Sequence, residues 1–444
     1  GAGVAGSVAA RELAEAGKKV LVLEKREHIG GNCYDEKDEH GILLHKYGPH
    51  IFHTKEQRAY EYLSRFTKWY EFGHEVVANV HGTLIPVPFN LNTLHMVYEK
   101  EEADPLEEKV VQMFFAQCPA LRAEEKIREY HLGGVLLFTR DFQDGGGEWL
   151  SADDFVLKVQ GFQGAASVPL LIGVDEEGGT VARASRNPNL FLEKRRSPQE
   201  VYLAGGLAAI GQDTLEVNGH LLGCGINVNF APVADVSTDP ADFIYDRSFG
   251  QDPEATAEYV RTVVDAVGTV AARDQSLTGP LYRMGCVLKH FPGYGDNADT
   301  HTGIALDARP YSQFLAEDFL PFRAGIGAGA GAVLVSHNII TCMDENFPAS
   351  LSPEVHRVLR EELGFQGVVL TDDLAMDAVE AYAADGSVAV LAVLAGNDMI
   401  VTADFETQIP LVADAVRTGL VDEGTIDAAV RRVLGWKYDL GLIQ

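Results

Sequence analysis

Short apolar runs that alternate with helix-like segments constrain the fold of this chain more than any other feature. Seven such runs follow residue 105, and each is rich in Val, Ile or Leu. They lie at residues 134–138, 168–174, 226–230, 286–289, 332–336, 367–371 and 398–401. Runs without polar alternation are typical of parallel strands that are buried on both faces. Seven of them in about 340 residues favour a closed (β/α)8 barrel over an open sheet, with an eighth strand that the pattern does not locate.

The N-terminal part of the chain has a different character. Residues 1–104 are rich in His and Tyr and end in an acidic stretch. Pro105 follows, and residues 106–115 have the apolar spacing of an amphipathic helix, which proline commonly opens. The sequence therefore predicts an α/β protein with two domains, residues 1–104 and residues 105–444, and places the barrel in the second.

Charge and cysteine content exclude several classes of protein. The net charge is −29, which argues against nucleic-acid binding and against docking on an anionic membrane. The five cysteines are odd in number and show no CxxC spacing, so we expect neither a disulfide framework nor a metal site. No apolar run is long enough to span a bilayer, and no segment has the pattern of a signal peptide. These features predict a cytoplasmic protein, without indicating an oligomeric state.

Polar residues follow the predicted barrel strands at the points where the strands end. Asp175 follows the second run, Lys289 ends the fourth, and Asp372 follows the sixth. In a barrel, such residues meet at the carboxyl-terminal face, where chemistry occurs. Several carboxylates and cations that converge in this way predict a polar pocket for a hydroxyl-rich ligand.

Four motifs of the large domain sharpen this prediction. They are GVDEEGG at residues 173–179, RSFG at 247–250, KHFPG at 289–293 with DTH at 299–301, and TDDL at 371–374. Together, and in this order, they resemble glycoside hydrolase family 3, in particular its β-N-acetylhexosaminidases. The resemblance covers residues 105–444 and implies a TIM-type barrel. It also implies that hydrolysis requires no metal or cofactor.

The resemblance implies three catalytic residues. Asp372 corresponds to the nucleophile, which forms a covalent glycosyl-enzyme and gives net retention. His301 corresponds to the general acid/base, and Asp299 to the carboxylate that orients it. A histidine exchanges protons near neutral pH, and a carboxylate on its second ring nitrogen fixes the tautomer. Asp373 is expected to cap the turn after the strand rather than to react.

The same resemblance implies residues that bind the sugar. Asp175 would accept hydrogen bonds from sugar hydroxyls. The expected donors to hydroxyls and to the N-acetyl group are Arg183, Arg247, Lys289 and His290. Charged donors strengthen each hydrogen bond to a polyol. His337 is expected to be a core or supporting histidine.

The small domain begins with a dinucleotide-binding pattern. Gly1, Gly3 and Gly6 form a GxGxxG motif, which is followed by an Ala-rich helix and a predicted strand at residues 19–24 that ends in Glu24. The glycines would let the backbone approach a pyrophosphate at a helix N-terminus, and Glu24 would bind a ribose hydroxyl. No strand precedes Gly1 in this sequence, so we expect an incomplete Rossmann-like segment.

Three further motifs add a resemblance for this segment. They are EKREHIGGN at residues 24–32, YGPHIFHT at 47–54 and VPFNLN at 87–92. With the glycine motif they resemble the N-terminus of UDP-galactopyranose mutase, an FAD flavoprotein. The resemblance implies that Gly30, Gly31, His50 and His53 would lie near the flavin. It stops near residue 104, so a truncated fragment is expected rather than a working mutase.

These observations predict a retaining glycosidase that releases terminal β-linked N-acetylglucosamine, for which the resemblance implies cell-wall fragments or chito-oligosaccharides as substrates. Three alternatives remain open. A histidine acid/base would not repel phosphate, which leaves a β-N-acetylglucosaminide phosphorylase. The other two are an FAD-dependent mutase-like protein and a non-catalytic sugar-binding protein.

Overall fold

Eight parallel strands form a barrel in the computed structural model of the chain. The structure describes residues 1–41, 43–47, 57–66, 76–80, 83–87, 100–273, 281–295, 297, 305–376, 379, 382 and 387–443. The barrel strands are β1 (Phe114–Gln117), β2 (Gly134–Leu137), β3 (Leu171–Val174), β4 (Val228–Asn229), β5 (Gly285–Phe291), β6 (Ala332–Val335), β7 (Val368–Thr371) and β8 (Ile400–Thr402). They pair in sequence order from β1 to β7, and β8 pairs with β1. A parallel bridge between Leu370 and Met399 joins β7 to β8 and closes the barrel.

Helices connect the strands on the outside of the barrel. The described helices from residue 100 onward are Lys100–Gln112, Ala123–Tyr130, Ala152–Ala165, Pro198–Gly223, Pro253–Thr269, Tyr311–Ala316, Phe319–Gly327, Pro353–Arg357 with a π-helical turn at Val358–Glu362, Val388–Ala395, Phe405–Arg417 and Glu423–Asp439. Short 3-10 turns lie at Thr139–Phe142, Ala184–Arg186 and Ala349–Leu351. Among the described helices, none combines the length and the apolar composition needed to cross a membrane.

From residue 76 onward, the described residues form four two-stranded sheets outside the barrel sheet. Three are antiparallel and pair Val76–Val80 with Thr83–Val87, Glu176–Gly178 with Val181–Ala182, and Ala271–Arg273 with Leu281–Arg283. The fourth is parallel and pairs Leu306–Asp307 with Ile339–Ile340. The second and fourth of these sheets carry residues that bear on the site described below.

The predicted barrel is confirmed, and the strand missing from the prediction is the first. Residues 114 and 115 were expected at the end of an amphipathic helix. That helix instead begins at Lys100 and ends at Gln112, and β1 follows directly. Phe114 and Phe115 are fully buried, and β1 pairs with β2 on one side and β8 on the other. These pairings join residues far apart in sequence, which overrides the local helical spacing.

The amino-terminal end of the barrel is filled by one aromatic side chain. Trp436, in the helix Glu423–Asp439, is buried and lies against Gly285 and Gly331. A Cβ atom at Gly331 would lie 2.3 Å from Trp436 Nε1, and one at Gly285 would lie 2.9 Å from its Cζ2. Because the ring occupies this end, the open space of the barrel lies at the carboxyl ends of the strands.

The chain divides into two compact units, Gly1–Glu75 and Val76–Gln444. The first contains the helices Val4–Glu15 and Gln57–Ser64, a 3-10 turn at Gly31–Cys33, and an antiparallel pair of strands, Asp35–Lys37 and Leu43–His45. The predicted boundary at residue 104 falls within the helix Lys100–Gln112 and stays a prediction.

The predicted strand at residues 19–24 is not formed. The helix expected after the glycine motif is present at Val4–Glu15, but the residues after it have no regular structure. Leu21 and Leu23 are 81% and 74% exposed, so this segment is not part of a packed sheet. A strand needs a hydrogen-bonded neighbour, and the described residues provide none here. The described residues thus do not complete a βαβ unit.

Candidate active site

A polar cavity opens at the carboxyl ends of the barrel strands. Its volume is about 380 Å³. The charged and amide side chains that line it in the described part of the chain are Gln117, Asp175, Glu177, Arg183, Arg247, Lys289, His290, Asp372 and Asp373. The structure therefore brings together the predicted nucleophile and all five predicted sugar-binding residues. Asp299 and His301 lie outside the described residues.

Lys289 lies at the centre of the charged wall of the cavity. Its Nζ is 2.6 Å from Asp175 Oδ1 and 2.6 Å from Glu177 Oε1. Arg247 binds the same Glu177 with two nitrogens, at 2.9 Å and 2.7 Å. Burial works to lower the pKa of Lys289, but the carboxylates of Asp175 and Glu177 outweigh it and raise the pKa. The ammonium group is thus held in its charged form.

Glu177 is the main site residue that the sequence analysis missed. Its side chain is almost fully buried between Lys289 and Arg247. Burial alone would raise the pKa of Glu177, but the two cations hold it far below its usual range. Alternate residues of an extended segment share a face, so Asp175 and Glu177 point the same way. That two-residue spacing was the available signal.

The intervening Glu176 points away from the cavity and supports the segment that carries Arg183. Its carboxylate accepts the backbone N–H groups of Arg183 and Ala184, at 2.9 Å and 2.8 Å. The Arg183 guanidinium lines the cavity and makes no ion pair within the described residues, and its Nε has no hydrogen-bond partner there. Arg183 therefore has donors left for a ligand.

His290 has a protein partner on each ring nitrogen. Nδ1 lies 2.7 Å from Asp235 Oδ2, and Nε2 lies 3.1 Å from Arg247 Nη2. An ionised carboxylate only accepts and a guanidinium only donates, so these partners assign the proton to Nδ1 and leave Nε2 as an acceptor. His290 was expected to donate to a ligand. In this arrangement it orients Arg247, and a contact with the sugar stays a prediction.

Asp235 is a second residue that the sequence analysis did not assign. Its carboxylate is buried and accepts the backbone N–H of His290 at 3.1 Å as well as the ring. Its other oxygen accepts the N–H of Tyr294 at 2.8 Å. Asp235 follows β4 and binds the segment after β5. It thereby fixes the orientation of the cavity wall.

Asp372 follows β7 directly and faces the cavity. Its Oδ1 accepts the N–H of Asp373 at 2.9 Å. Burial works to raise the pKa of Asp372. The neighbouring His337, the N–H of Asp373 and the Lys289 ammonium outweigh burial, so that the pKa is lowered. The carboxylate is therefore ionised at neutral pH, as a nucleophile requires.

The residues around Asp372 have supporting roles. Asp373 Oδ1 accepts the N–H of Ala375 at 3.0 Å, which fits the predicted turn cap, and its Oδ2 accepts Nε2 of Gln117. His337 is fully buried, with Nδ1 2.7 Å from the Ser350 hydroxyl and Nε2 3.0 Å from the Asp373 carbonyl oxygen. It acts as the expected core histidine, which holds the backbone beside Asp372.

The glycine motif of the small unit fits a dinucleotide only in part. Gly6 allows a close approach, since a Cβ there would lie 1.9 Å from the Gly1 carbonyl oxygen. The helix that follows Gly3 begins without a side-chain cap, which suits a phosphate. However, the Glu24 carboxylate accepts the N–H of Ala2 at 2.5 Å, and residues 19–24 form no strand. The described residues therefore lack the ribose-binding half of the motif, and FAD binding stays a prediction, as does its absence.

Comparisons with known proteins agree with this geometry. The model of the glycosyl hydrolase family 3 N-terminal domain matches residues 105–435, and that of an NAD(P)-binding Rossmann-like domain matches residues 1–66. A β-hexosaminidase from Nitrosomonas eutropha is 31% identical over 288 residues, which are 61% of this chain and 73% of that protein.

Two solved structures have the same fold over the barrel. One is a family 3 β-N-acetylglucosaminidase from Paenibacillus sp., with a TM-score of 0.66 and 30% identity over 76% of this chain and 63% of that one. The other is a β-N-acetylhexosaminidase from Beutenbergia cavernae, with a TM-score of 0.64 and 28% identity over 75% of this chain and 98% of that one. Because the family model matches residues 105–435, about three quarters of the chain, the chain is a glycosidase that belongs to glycosyl hydrolase family 3.

Proposed function

We propose that the chain is a retaining β-N-acetylhexosaminidase that releases terminal β-linked N-acetylglucosamine. The observation that carries this proposal is the ionised Asp372 at the end of β7, in a cavity whose wall presents Asp175, Arg183 and Lys289. A carboxylate so placed suits attack on an anomeric carbon, and the charged wall suits sugar hydroxyls. The relatives named above are hexosaminidases and N-acetylglucosaminidases, which supports the choice of sugar.

The proposed reaction has two displacements. In the first, a carboxylate oxygen of Asp372 bonds to the anomeric carbon while the bond to the leaving oxygen breaks, and His301 gives that oxygen a proton. In the second, His301 takes a proton from water, the water oxygen bonds to the anomeric carbon, and Asp372 leaves. Asp299 would orient the histidine ring. Two inversions give a product with the β-configuration of the substrate.

The charge of the cavity favours hydrolysis over phosphorolysis. Its described lining carries four carboxylates, on Asp175, Glu177, Asp372 and Asp373, against three cations, on Arg183, Arg247 and Lys289. A net negative wall stabilises the positive charge that develops on the sugar ring and opposes the entry of phosphate.

Aryl-glycoside hydrolysis tests the proposal directly. The purified chain should release 4-nitrophenol from the β-N-acetylglucosaminide faster than from the β-glucoside, and NMR should show the β-anomer of the free sugar first. Asp372→Ala should reduce turnover by orders of magnitude, with an unchanged circular dichroism spectrum. An α-anomer as first product would exclude retention. Release that depends on phosphate and yields the sugar phosphate would establish the phosphorylase instead. No release by the native chain would favour a non-catalytic protein.

A further inference from the structure

A buried ion cluster lies against the described flanks of residues 298–304, the sequence range that includes His301. Arg309 lies between two carboxylates: its Nη2 is 2.9 Å from Asp307 Oδ2, and its Nη1 is 2.9 Å from Asp318 Oδ2. Both carboxylate side chains are 1% exposed, and the guanidinium is 16% exposed. None of the three lines the cavity. The cluster therefore needs an explanation other than direct contact with a ligand.

The cluster contacts the chain immediately before residues 298–304. The guanidinium lies against Gly295, where a Cβ would be 2.6 Å from Arg309 Cζ. Asp318 lies against Gly293, where a Cβ would be 2.1 Å from its Oδ1. Asn297 is buried, and its side-chain amide donates to Asp307 Oδ2 at 2.9 Å. The preceding flank is thus packed against all three charged residues.

The same carboxylate fixes the chain immediately after residues 298–304. Asp307 accepts the backbone N–H of Arg309 at 2.9 Å, and its carbonyl oxygen accepts the N–H of Thr341 at 2.9 Å. The strand Leu306–Asp307 pairs with Ile339–Ile340 just after β6. Asp307 therefore joins both flanks, because Asn297 binds it from one side and Arg309 from the other.

This connection closes a long stretch of chain. Nine residues lie between positions 297 and 307, and the ten Cα–Cα steps could span about 35 Å when extended. The hydrogen bond between Asn297 and Asp307 instead holds the two ends together. The flank also reaches the cavity, since the N–H of Tyr294 binds Asp235, which holds the His290 ring. The cluster thus ties both flanks to the cavity wall.

We propose that Arg309 is a positioning residue of the reaction, which acts with Asp307 to fix the two flanks of residues 298–304 and so sets where the acid/base His301 can act. The inference rests on the proposed function, because it concerns the acid/base of that reaction. Residues 298–304 themselves lie outside the described residues, and only their flanks carry the inference. A general acid contributes about 100-fold or more to the departure of a poor leaving group, so its placement has a kinetic signature.

The test is the dependence of kcat/KM on the leaving group in Arg309→Lys. Lysine keeps the charge but cannot bind two carboxylates with a planar fork. We expect kcat/KM to fall about ten-fold or more for N,N′-diacetylchitobiose, which needs the acid, and by less than about three-fold for the 2,4-dinitrophenyl glycoside, which does not. Asn297→Ala leaves the ion pairs in place and removes the bond across the flanks, together with a side-chain bond to the Tyr294 carbonyl oxygen. It should change the ratio of the two kcat/KM values in the same direction.

Arg360→Lys is the matched control. Arg360 is another largely buried arginine, paired with Asp398 at 2.6 Å, and it does not contact either flank. The ratio of its kcat/KM values on the two substrates should equal that of the native chain. Equal losses on both substrates in Arg309→Lys and Asn297→Ala would overturn the inference, as would the same change of ratio in the control. If Arg309→Lys does not fold, Asn297→Ala decides.

His301→Ala separates this inference from the proposed function. It should show the leaving-group effect at full size. If it does and the two cluster variants do not, the inference fails while the proposed function stands. If His301→Ala shows no such effect, the acid/base assignment itself is wrong, and the inference fails with it.

Discussion

Lys437 is buried without a counter-charge, and its replacement by methionine should stabilise the protein. The side chain is fully buried in the helix Glu423–Asp439, and its Nζ donates to Gln112 Oε1 at 2.8 Å. No carboxylate pairs with it among the described residues. Burial lowers the pKa of Lys437 to about 7, from an ordinary value of 10.5. Between about pH 7 and pH 10.5, folding must therefore remove a proton that this amine holds in the unfolded chain.

The sign and size of the effect follow from this difference in pKa. Between about pH 7 and 10.5 the unfolded chain holds a proton that the folded chain does not, so this group makes stability rise with pH. Each unit of pKa corresponds to about 1.4 kcal/mol, which makes the cost of burying Lys437 about 4 kcal/mol at pH 7 and about 2 kcal/mol at pH 9. Methionine removes that cost but leaves the Gln112 oxygen unpartnered, at about 1–3 kcal/mol.

Lys437→Met should thus raise the free energy of unfolding by about 2 kcal/mol at pH 7 and leave it nearly unchanged at pH 9. The measurement is urea unfolding of the native chain and the variant at pH 7, 8 and 9, followed by fluorescence. Only the difference between the two proteins is used, because buried thiols and phenols such as Cys118 and Tyr130, whose pKa values burial raises, titrate at the alkaline end in both.

Lys109→Met provides the control for Lys437→Met. Lys109 lies on the helix that carries Gln112 and pairs with Glu423 and Asp427 at the surface. Their hydrogen bonds raise the pKa of Lys109, so both folded and unfolded chains hold its proton at pH 7 to 9. The effect of this control should not vary with pH. A Lys437→Met difference that stays constant from pH 7 to 9 would refute the reasoning, because it would mean that Lys437 keeps its proton in the folded chain.

Two further predictions concern the two ends of the barrel. Glu177→Gln should lower the free energy of unfolding by about 3 kcal/mol, because it leaves Lys289 and Arg247 without their shared carboxylate. It should also lower kcat/KM about 100-fold, because both cations are then misplaced. Urea unfolding and aryl-glycoside kinetics measure the two effects, and native kinetics would contradict the role of Glu177. Trp436→Ala should lower the free energy of unfolding by about 3–5 kcal/mol, because it empties a buried aromatic site. It should leave kcat unchanged below the melting temperature, since the ring lies at the end of the barrel opposite the cavity. A parallel loss of kcat would contradict this separation of the two ends.

The sequence predicts those strands that carry a local signature. The run at 332–336 and the run at 367–371 stand out because every residue in them is apolar or lies at the strand end, and both form barrel strands. Residues 114–117 do not stand out, because Val110 and Val111 before them continue the same apolar spacing in a helix. Only the neighbours β2 and β8 reveal the strand, and those contacts are not visible in a local window.

The N-terminal segment shows the opposite error. Residues 19–24 have strong strand propensity, yet they form no strand because propensity does not supply a hydrogen-bonded neighbour. Leu21 and Leu23 are left exposed as a result. The glycine motif predicted the helix at Val4–Glu15 correctly, since that signal is local.

The site residues that were predicted occur in motifs at strand ends, and the two that were missed hold other charged side chains in place. Asp175, Lys289 and Asp372 occur in motifs at strand ends and line the cavity together. Glu177 and Asp235 instead have partners far along the chain, at Arg247 and His290, which are 70 and 55 positions away. The strength of such a buried pair depends on three-dimensional neighbours, which the sequence alone does not specify.

The charged wall of the cavity has a consequence for any attempt to alter what the cavity accepts. Arg247 has Glu177 on one side and His290 on the other, so replacement of one member leaves its neighbours without a hydrogen-bond or ion-pair partner. Changes within the wall should therefore be tolerated only as compensating pairs, with strongly non-additive effects in double-mutant cycles. Phe138 and Met376 line the cavity but do not belong to this wall. A redesign of selectivity has more freedom at apolar positions such as these two, because single replacements there break no ion pair of the wall.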